Sequence, residues 1–402
     1  FYGSIEDPGN RISGLTVTYC LNNDENYATQ VLQSGDQITL PDPAKLGYAF
    51  DGWYKDGTKW DKTTPVNENL TLTGWLYAPA SSDADLIAAL ADDTADVIRL
   101  MRNIDINTDM LVERTVVLDL NGYVLRQTAD RCVSFKVEEM GDLTIIDSNP
   151  TAPHKFTPNS DGLWVWDETG GTKTVNGGVI TGNTAGNSGT IQIGGTVTMS
   201  AGNLVGCSVY NTRSGVAPSC GAVYVSANSK FVMNGGAIRG SFARIGDGGG
   251  VYVNGGQFTM NGGSITDCTV EYLGGGVYVN FGTFKLVDGY IRNCKADFGG
   301  GVCVRANMVS GKDGIFEMSG GVISDCTAKT KGSALIIDGN QLDYTGYAIG
   351  GTMYAGGGTV DGTAYIIKYG KITAKGGMTG VTSFKKEILT KAGSKIEYGL
   401  FY

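Results

Sequence analysis

The sequence predicts an all-β chain. Most of it reads as a parallel β-helix of about ten coils, with a separate small β module ahead of it and a short capping helix between. Three observations carry this. A line of sequence recurs between Gly221 and Cys326: GAVYV with KFVMNGGAIRGS, GGVYV with QFTMNGGSITDC, GGVYV with TFKLVDGYIRNC, and GGVCV with IFEMSGGVISDC. Its anchors Val223, Val251, Val277 and Val302 are roughly 25 to 28 residues apart, a period that signals a solenoid. Each line also holds short runs with alternating apolar residues, such as Val251-x-Val253 and Phe258-x-Met260, the pattern of half-buried strands. Glycines break the runs at fixed places, and no helical spacing occurs within the repeats. Three strands per repeat, laid on the coil below at about 4.8 Å, make a parallel β-helix.

Equivalent positions then stack, so the sequence can be read as columns. The inward columns are Val223/Val251/Val277/Val302, Phe231/Phe258/Phe284/Phe316, Met233/Met260/Leu286/Met318 and Ile238/Ile265/Ile291/Ile323. The glycine pairs at 235–236, 262–263 and 320–321 fall at the corner before the third strand, where positive φ suits glycine.

Composition narrows the function. The net charge of −9 argues against a nucleic-acid backbone or an anionic membrane surface as partner. A single histidine, His154, leaves no His-based metal cluster. No stretch is long enough to span a bilayer, and no leader is visible. The chain opens at Phe1 and closes at Tyr402 like a segment trimmed from a longer protein. Its eight cysteines form no CxxC site or disulfide framework. Cys207, Cys268, Cys294 and Cys326 instead share one column with Asn183 and Ser241, an inert ladder at the inward corner after the third strand.

In chain order, residues 1–14 read as a loose lead-in. LTVTYCL (15–21), SGDQITLPDP (34–43) and NLTLTGWLY (69–77) read as strands, with a turn-rich aromatic segment at 47–61. The run GDQITLPDPAKLGYAFDGWY followed by TPVNENLTLTGW resembles the internalin B-repeat, or Listeria–Bacteroides repeat. The matching residues are Gly35, Pro41, Gly47, Tyr48, Phe50, Gly52, Trp53, Tyr54, Pro65 and Trp75. The resemblance implies a β-grasp-like module over 15–78, of a kind carried by bacterial surface proteins. The family's Gly-Gly after the first strand is replaced by Asn22-Asn23-Asp24. Trp53 and Trp75 are expected in the module core, because so small a module needs large aromatics.

Pro79 to Ser82 reads as a linker into the second domain, 79–402. Ser82-x-x-Asp85 opens a capping helix over 83–91, with Leu86, Ile87 and Leu90 on one face. Coils follow at 97–125, 132–147 and 174–207. Between them, residues 149–171 hold three prolines and Trp164-Val-Trp166, break the pattern and read as an insertion. After Cys326 the coils become irregular, and 384–402 is expected to close the far end.

The coils also resemble the pectate-lyase-like superfamily. That resemblance implies a right-handed helix, and the scaffold carries lyases, hydrolases and adhesins alike. Enzymes on it keep a carboxylate cluster, with Ca²⁺ as the cofactor in some. Asp267 and Asp325 share a column with Asn293 between them, and Arg244, Asp247, Glu271, Asp297 and Lys329 lie in the variable corner before the first strand. No motif ties these together, so no catalytic residues, metal or cofactor are assigned. Arg244, Asp247, Glu271 and Asp297 stand as a second candidate site. The first is the column Tyr224, Tyr252 and Tyr278, which alternation turns outward at about 4.8 Å spacing, a surface suited to sugar rings. Arg239 and Arg292 also point outward, from the third strand. The expectation is a monomeric, extracellular bacterial surface protein acting as a non-catalytic adhesin toward glycans or surface proteins. The alternatives are a polysaccharide lyase or glycosidase working along the coils, and a plain spacer.

Overall fold

The computed structural model describes residues 14–22, 24–129, 132–182, 191–209, 220–244, 246–306, 312–338, 341–342, 348–367, 370–374, 383–384, 388–390 and 395–397. The lead-in before Gly14, Asn183 and most of the closing segment lie outside them. The chain divides into two compact units, Phe1–Pro79 with Ala95–Val97, and Ala80–Thr94 with Ile98–Tyr402.

In the first unit, Leu15–Leu21 pairs antiparallel with Asp24–Leu32 and parallel with Leu70–Ala80, which pairs antiparallel with Ala49–Lys55. The core gathers Val17, Tyr19, Ile38, Trp53, Leu70 and Leu72. Trp53 is 1% exposed, donates from Nε1 to the Pro41 carbonyl at 2.7 Å, and meets the rings of Tyr19 and Phe50 edge-on. Several expectations need correction. Residues 34–43 form no strand: Ile38 and Leu40 pack on the core while the backbone runs outside the ladder, and Asp24–Leu32 takes the sheet position instead. The strand expected at 69–77 runs on to Ala80, into the expected linker. Trp75 is half-buried, because Leu70, Leu72 and Gly74 occupy the inward positions. Asn22 adopts φ 50° and clamps Leu76 with both ends of its amide, at 2.8 and 3.0 Å.

The second unit is nearly all β, in long parallel ladders. Ten strands stack in the first ladder, from Met110–Val112 through Val223–Val225, Val251–Asn254, Val277–Asn280, Val302–Arg305, Leu335–Asp338 and Ala364–Ile366 to Ile388–Thr390. The second strands stack in register, with Phe231, Phe258, Phe284 and Phe316 in one file. Their rings are stacked at 4.8 to 5.0 Å, all at most 1% exposed. The third strands align Ile238, Ile265, Ile291 and Ile323. In Ile315–Ser324 and Thr352–Asp361 the second and third strands merge into one. A fourth strand on five passes, only two residues long in Phe242–Ala243 and Thr269–Val270, follows the cysteine column. Two residues leave too little alternation to read from sequence.

Stacking dictates the corners. A Cβ on Gly236, Gly263 or Gly289 would lie 2.5 to 2.7 Å from the carbonyl oxygen of the equivalent glycine one pass back, and all three have positive φ. Beyond the third strand, Gly240, Asp267, Asn293 and Asp325 all adopt φ of 54 to 57°. The Asp267/Asp325 column is therefore a left-handed turn position, which Asn and Asp tolerate. Cys207, Cys268, Cys294 and Cys326 are buried free thiols. The last three donate to the carbonyls of Thr266, Arg292 and Ser324 at 3.3 to 3.4 Å. Burial pushes the Cys207 thiol up to about 12, which keeps it unreactive.

The capping helix runs Asp83–Ala91, and the Ser82 hydroxyl accepts from the Asp85 amide at 3.1 Å. Leu86 and Ala89 are buried, whereas Ile87 is exposed, so the buried stripe follows i, i+3 and excludes Ile87. Arg114 donates to the carbonyls of Ala89 and Leu90, holding the helix C-terminus on the first pass. Deeper in, Arg99 pairs with fully buried Asp119 at 2.7 Å. The other Asp119 oxygen accepts from the amides of Asn121 and Ser148, so the burial cost is shared by several donors.

The insertion is ordered as a three-stranded antiparallel sheet, Pro153–Pro158, Trp164–Trp166 and Lys173–Asn176. Trp164 packs on Val124, Val179 and Val205 of the third ladder. His154 lies between the Gly122 carbonyl oxygen at 2.7 Å and Glu168 at 2.8 Å.

Candidate functional site

The outward face of the first ladder carries the site. Alternation puts Val251 and Val253 inside, which leaves Tyr252 outside, and the ladder brings Tyr224, Tyr252, Tyr278, Cys303, Ile336 and Tyr365 into one file. The rings of Tyr224 and Tyr252 meet at 5.3 Å and those of Tyr252 and Tyr278 at 4.9 Å. The three tyrosines are thus together, as expected, but they are not an open stripe. Tyr278 is 4% exposed, and Tyr224 and Tyr252 are half-buried. The cause is the corner before each first strand, where Leu273 and Phe298 fold over the file.

Those corners form a wall. Asp247 pairs with Leu273, Leu273 with Phe298, and Phe298 with Lys331, all in parallel register. The opposite wall is the next outward file, Asn254, Asn280, Arg305 and Asp338. It ties down the tyrosine tips diagonally. Asn254 donates to the Tyr224 hydroxyl at 2.5 Å, and Asn280 donates to that of Tyr252 at 3.4 Å. Arg305 also pairs with Asp338 at 2.8 Å. The result is a groove with an aromatic floor, a mostly apolar wall and a polar wall. At its far end lies a cavity of about 380 Å³ lined by Leu273, Phe298, Ile336, Ile367 and Tyr365, with Arg305, Asp338 and Lys331 at the rim.

Electrostatics single out one acid. Burial pushes the half-buried Asp247 carboxyl up to about 6, against the opposing pull of Arg305. Burial also raises the hydroxyls of Tyr252 and Tyr278, and the Asp247 charge adds to both.

The second candidate set does not assemble. Asp247 joins the tyrosine groove. Arg244 reaches Glu271 at 3.8 Å and Asp161, on the insertion, at 3.9 Å. Asp297 pairs with Lys329 at 3.0 Å. These last pairs are partly exposed ion pairs of small energetic weight. Arg292 lies 3.5 Å from Asp325 and its guanidinium sits over the Tyr290 ring. Among the described residues no group of three or more His, Cys, Asp and Glu is placed to hold a metal ion. Among them, too, no helix is long and apolar enough to cross a membrane. Sequence reading missed Asn254, Asn280, Arg305 and Asp338. They sit two positions after the tyrosine column in VYVN, VYVN, VCVR and LIID, so reading one more outward column would have found them.

A family model, the Listeria–Bacteroides repeat domain, matches residues 16–74, within the first unit. No curated protein matches the chain. No solved structure matches it either.

Proposed function

We propose that this chain is part of a bacterial surface protein that binds a linear polysaccharide along the tyrosine groove without cleaving it. What supports the location is the repeat at 16–74, a module found in bacterial surface proteins. The finer architecture we adopt is a right-handed parallel β-helix of the pectate-lyase-like type. Its support is the in-register stacking of successive passes in the second unit.

The observation that carries the binding reading is the groove itself. Tyr224, Tyr252 and Phe298 offer ring faces and edges to the apolar faces of sugars, and Asn254 and Asn280 offer hydrogen-bonding groups along one side. A rigid ladder presents these at a fixed repeat, which limits the entropy lost on binding. A glycan array probed with the whole chain and with Phe298→Ala tests this. Binding to one class of polymer that the variant loses supports it, and no binding by either chain refutes it.

A second reading, a lyase or glycosidase, draws on Asp247 alone. A carboxyl held near 6 in a groove wall has the character of a general acid. Release of new chain ends from a bound polymer, abolished in Asp247→Asn, would establish it.

A further inference from the structure

The tyrosine file is interrupted. Tyr224, Tyr252 and Tyr278 occupy three successive passes, Cys303 and Ile336 the next two, and Tyr365 the one after. Where tyrosines are adjacent, their rings touch at 4.9 to 5.3 Å, so the pass spacing supports ring-on-ring contact. Cys303 is fully buried, and the cavity of about 380 Å³ opens one pass on, over Ile336 and beside Tyr365. The wall beside it is apolar, with Leu273 and Phe298, and Ile367 continues the opposite wall one pass beyond Asp338.

The rim is cationic. Arg305 is offset by Asp338 at 2.8 Å. Lys331 lies 2.8 Å from the Tyr365 hydroxyl and 4.3 Å over its ring, and it has no carboxylate partner among the described residues. Arg305 also draws on Asp247, so the charge left without a carboxylate is that of Lys331, at the mouth. Asp247 lies at the other end of the wall, beyond Leu273 and Phe298. A sugar ring, with hydroxyls around its whole edge, would leave several of them against Leu273, Phe298 and Ile336 without partners. A flat apolar ring would not.

We infer that this hollow is a separate binding site for a planar aromatic group bearing an anionic substituent. An aryl carboxylate is the simplest case. Its ring lies over Ile336 between Phe298 and Tyr365, and its charge meets Lys331. The site goes beyond the polysaccharide reading and does not depend on it.

The test is calorimetric titration of the whole chain with 1-naphthoate, beside the neutral 1-naphthylmethanol and the cationic 1-naphthylmethylamine. Saturable binding is expected in the order naphthoate, alcohol, amine. Ile336→Trp fills the hollow and should weaken naphthoate by about tenfold or more. Lys331→Glu lies on the exposed rim, where folding is least at risk, and should reverse the order of acid and amine with a shift of about fivefold or more in each. Absence of saturable naphthoate binding, or an order unchanged in Lys331→Glu, overturns the inference.

Discussion

Asn254 donates from Nδ2 to the hydroxyl of Tyr224 at 2.5 Å, one pass away along the ladder. The same diagonal recurs with Asn280, which donates to Tyr252 at 3.4 Å and to the Asn254 amide oxygen at 3.0 Å. Tyrosine and asparagine files thus brace each other on the open face. Asn280→Ala should lower stability by about 1 to 2 kcal/mol, the cost of unsatisfied polar groups that are only partly buried. Urea unfolding of the two chains measures it, and an unchanged midpoint would count against the brace.

The phenylalanine file is the interior counterpart. Phe258 is fully buried between Phe231 at 4.9 Å and Phe284 at 4.8 Å. Phe258→Ala should cost about 3 to 5 kcal/mol, because the flanking rings are held by their own passes and cannot collapse into the void. Phe258→Leu should cost clearly less, and equal losses in calorimetry would contradict in-register stacking.

Two glycines separate conformational strain from collision. Gly57 has φ +80°, and a Cβ there would meet no atom within 4 Å. Gly263 has φ +81°, and a Cβ there would stand 2.7 Å from the Gly236 carbonyl oxygen. Gly57→Ala should cost about 1 to 2 kcal/mol from its left-handed backbone alone. Gly263→Ala carries the same strain plus a backbone clash, so it should lose more and should broaden the unfolding transition of the second unit. Thermal melts of the pair decide it.

Asp247 gives a pH signature. Burial lifts its folded-state value from the ordinary 3.8 to about 6, so the folded chain holds that proton more tightly than the unfolded one. Below the ordinary value both states are protonated and nothing is lost. As pH rises through the window up to about 6, the unfolded state ionises first and stability falls. Asp247→Asn removes this dependence. The variant should gain on the parent between about pH 4 and 7, and parallel stability profiles would refute the shift.

Much of the ladder was legible because stacking repeats like with like. Val223, Val251, Val277 and Val302 announce one file, and Phe231 to Phe316 another, since each inward position meets its equivalent in the neighbouring pass. The corners hide more. Leu273 and Phe298 do share a place, four residues ahead of Val277 and Val302 and directly before a glycine triplet, but the corner segments before them differ in length and their side chains' closing over Tyr278 is not set by alternation. The insertion was equally opaque: Trp164 finds Val124, Val179 and Val205 only once the third ladder exists. Asp247, Arg244, Glu271 and Asp297 looked alike in sequence, yet only Asp247 faces the tyrosines, because it alone of the four pairs into the Leu273–Phe298 wall.

Affinity electrophoresis through gels containing single polysaccharides tests the groove most directly, with the unaltered chain run beside Phe298→Ala. The account predicts retardation by one polymer, no clearing of the track, and free migration of the variant in that gel. Equal migration of both chains in every gel would contradict it.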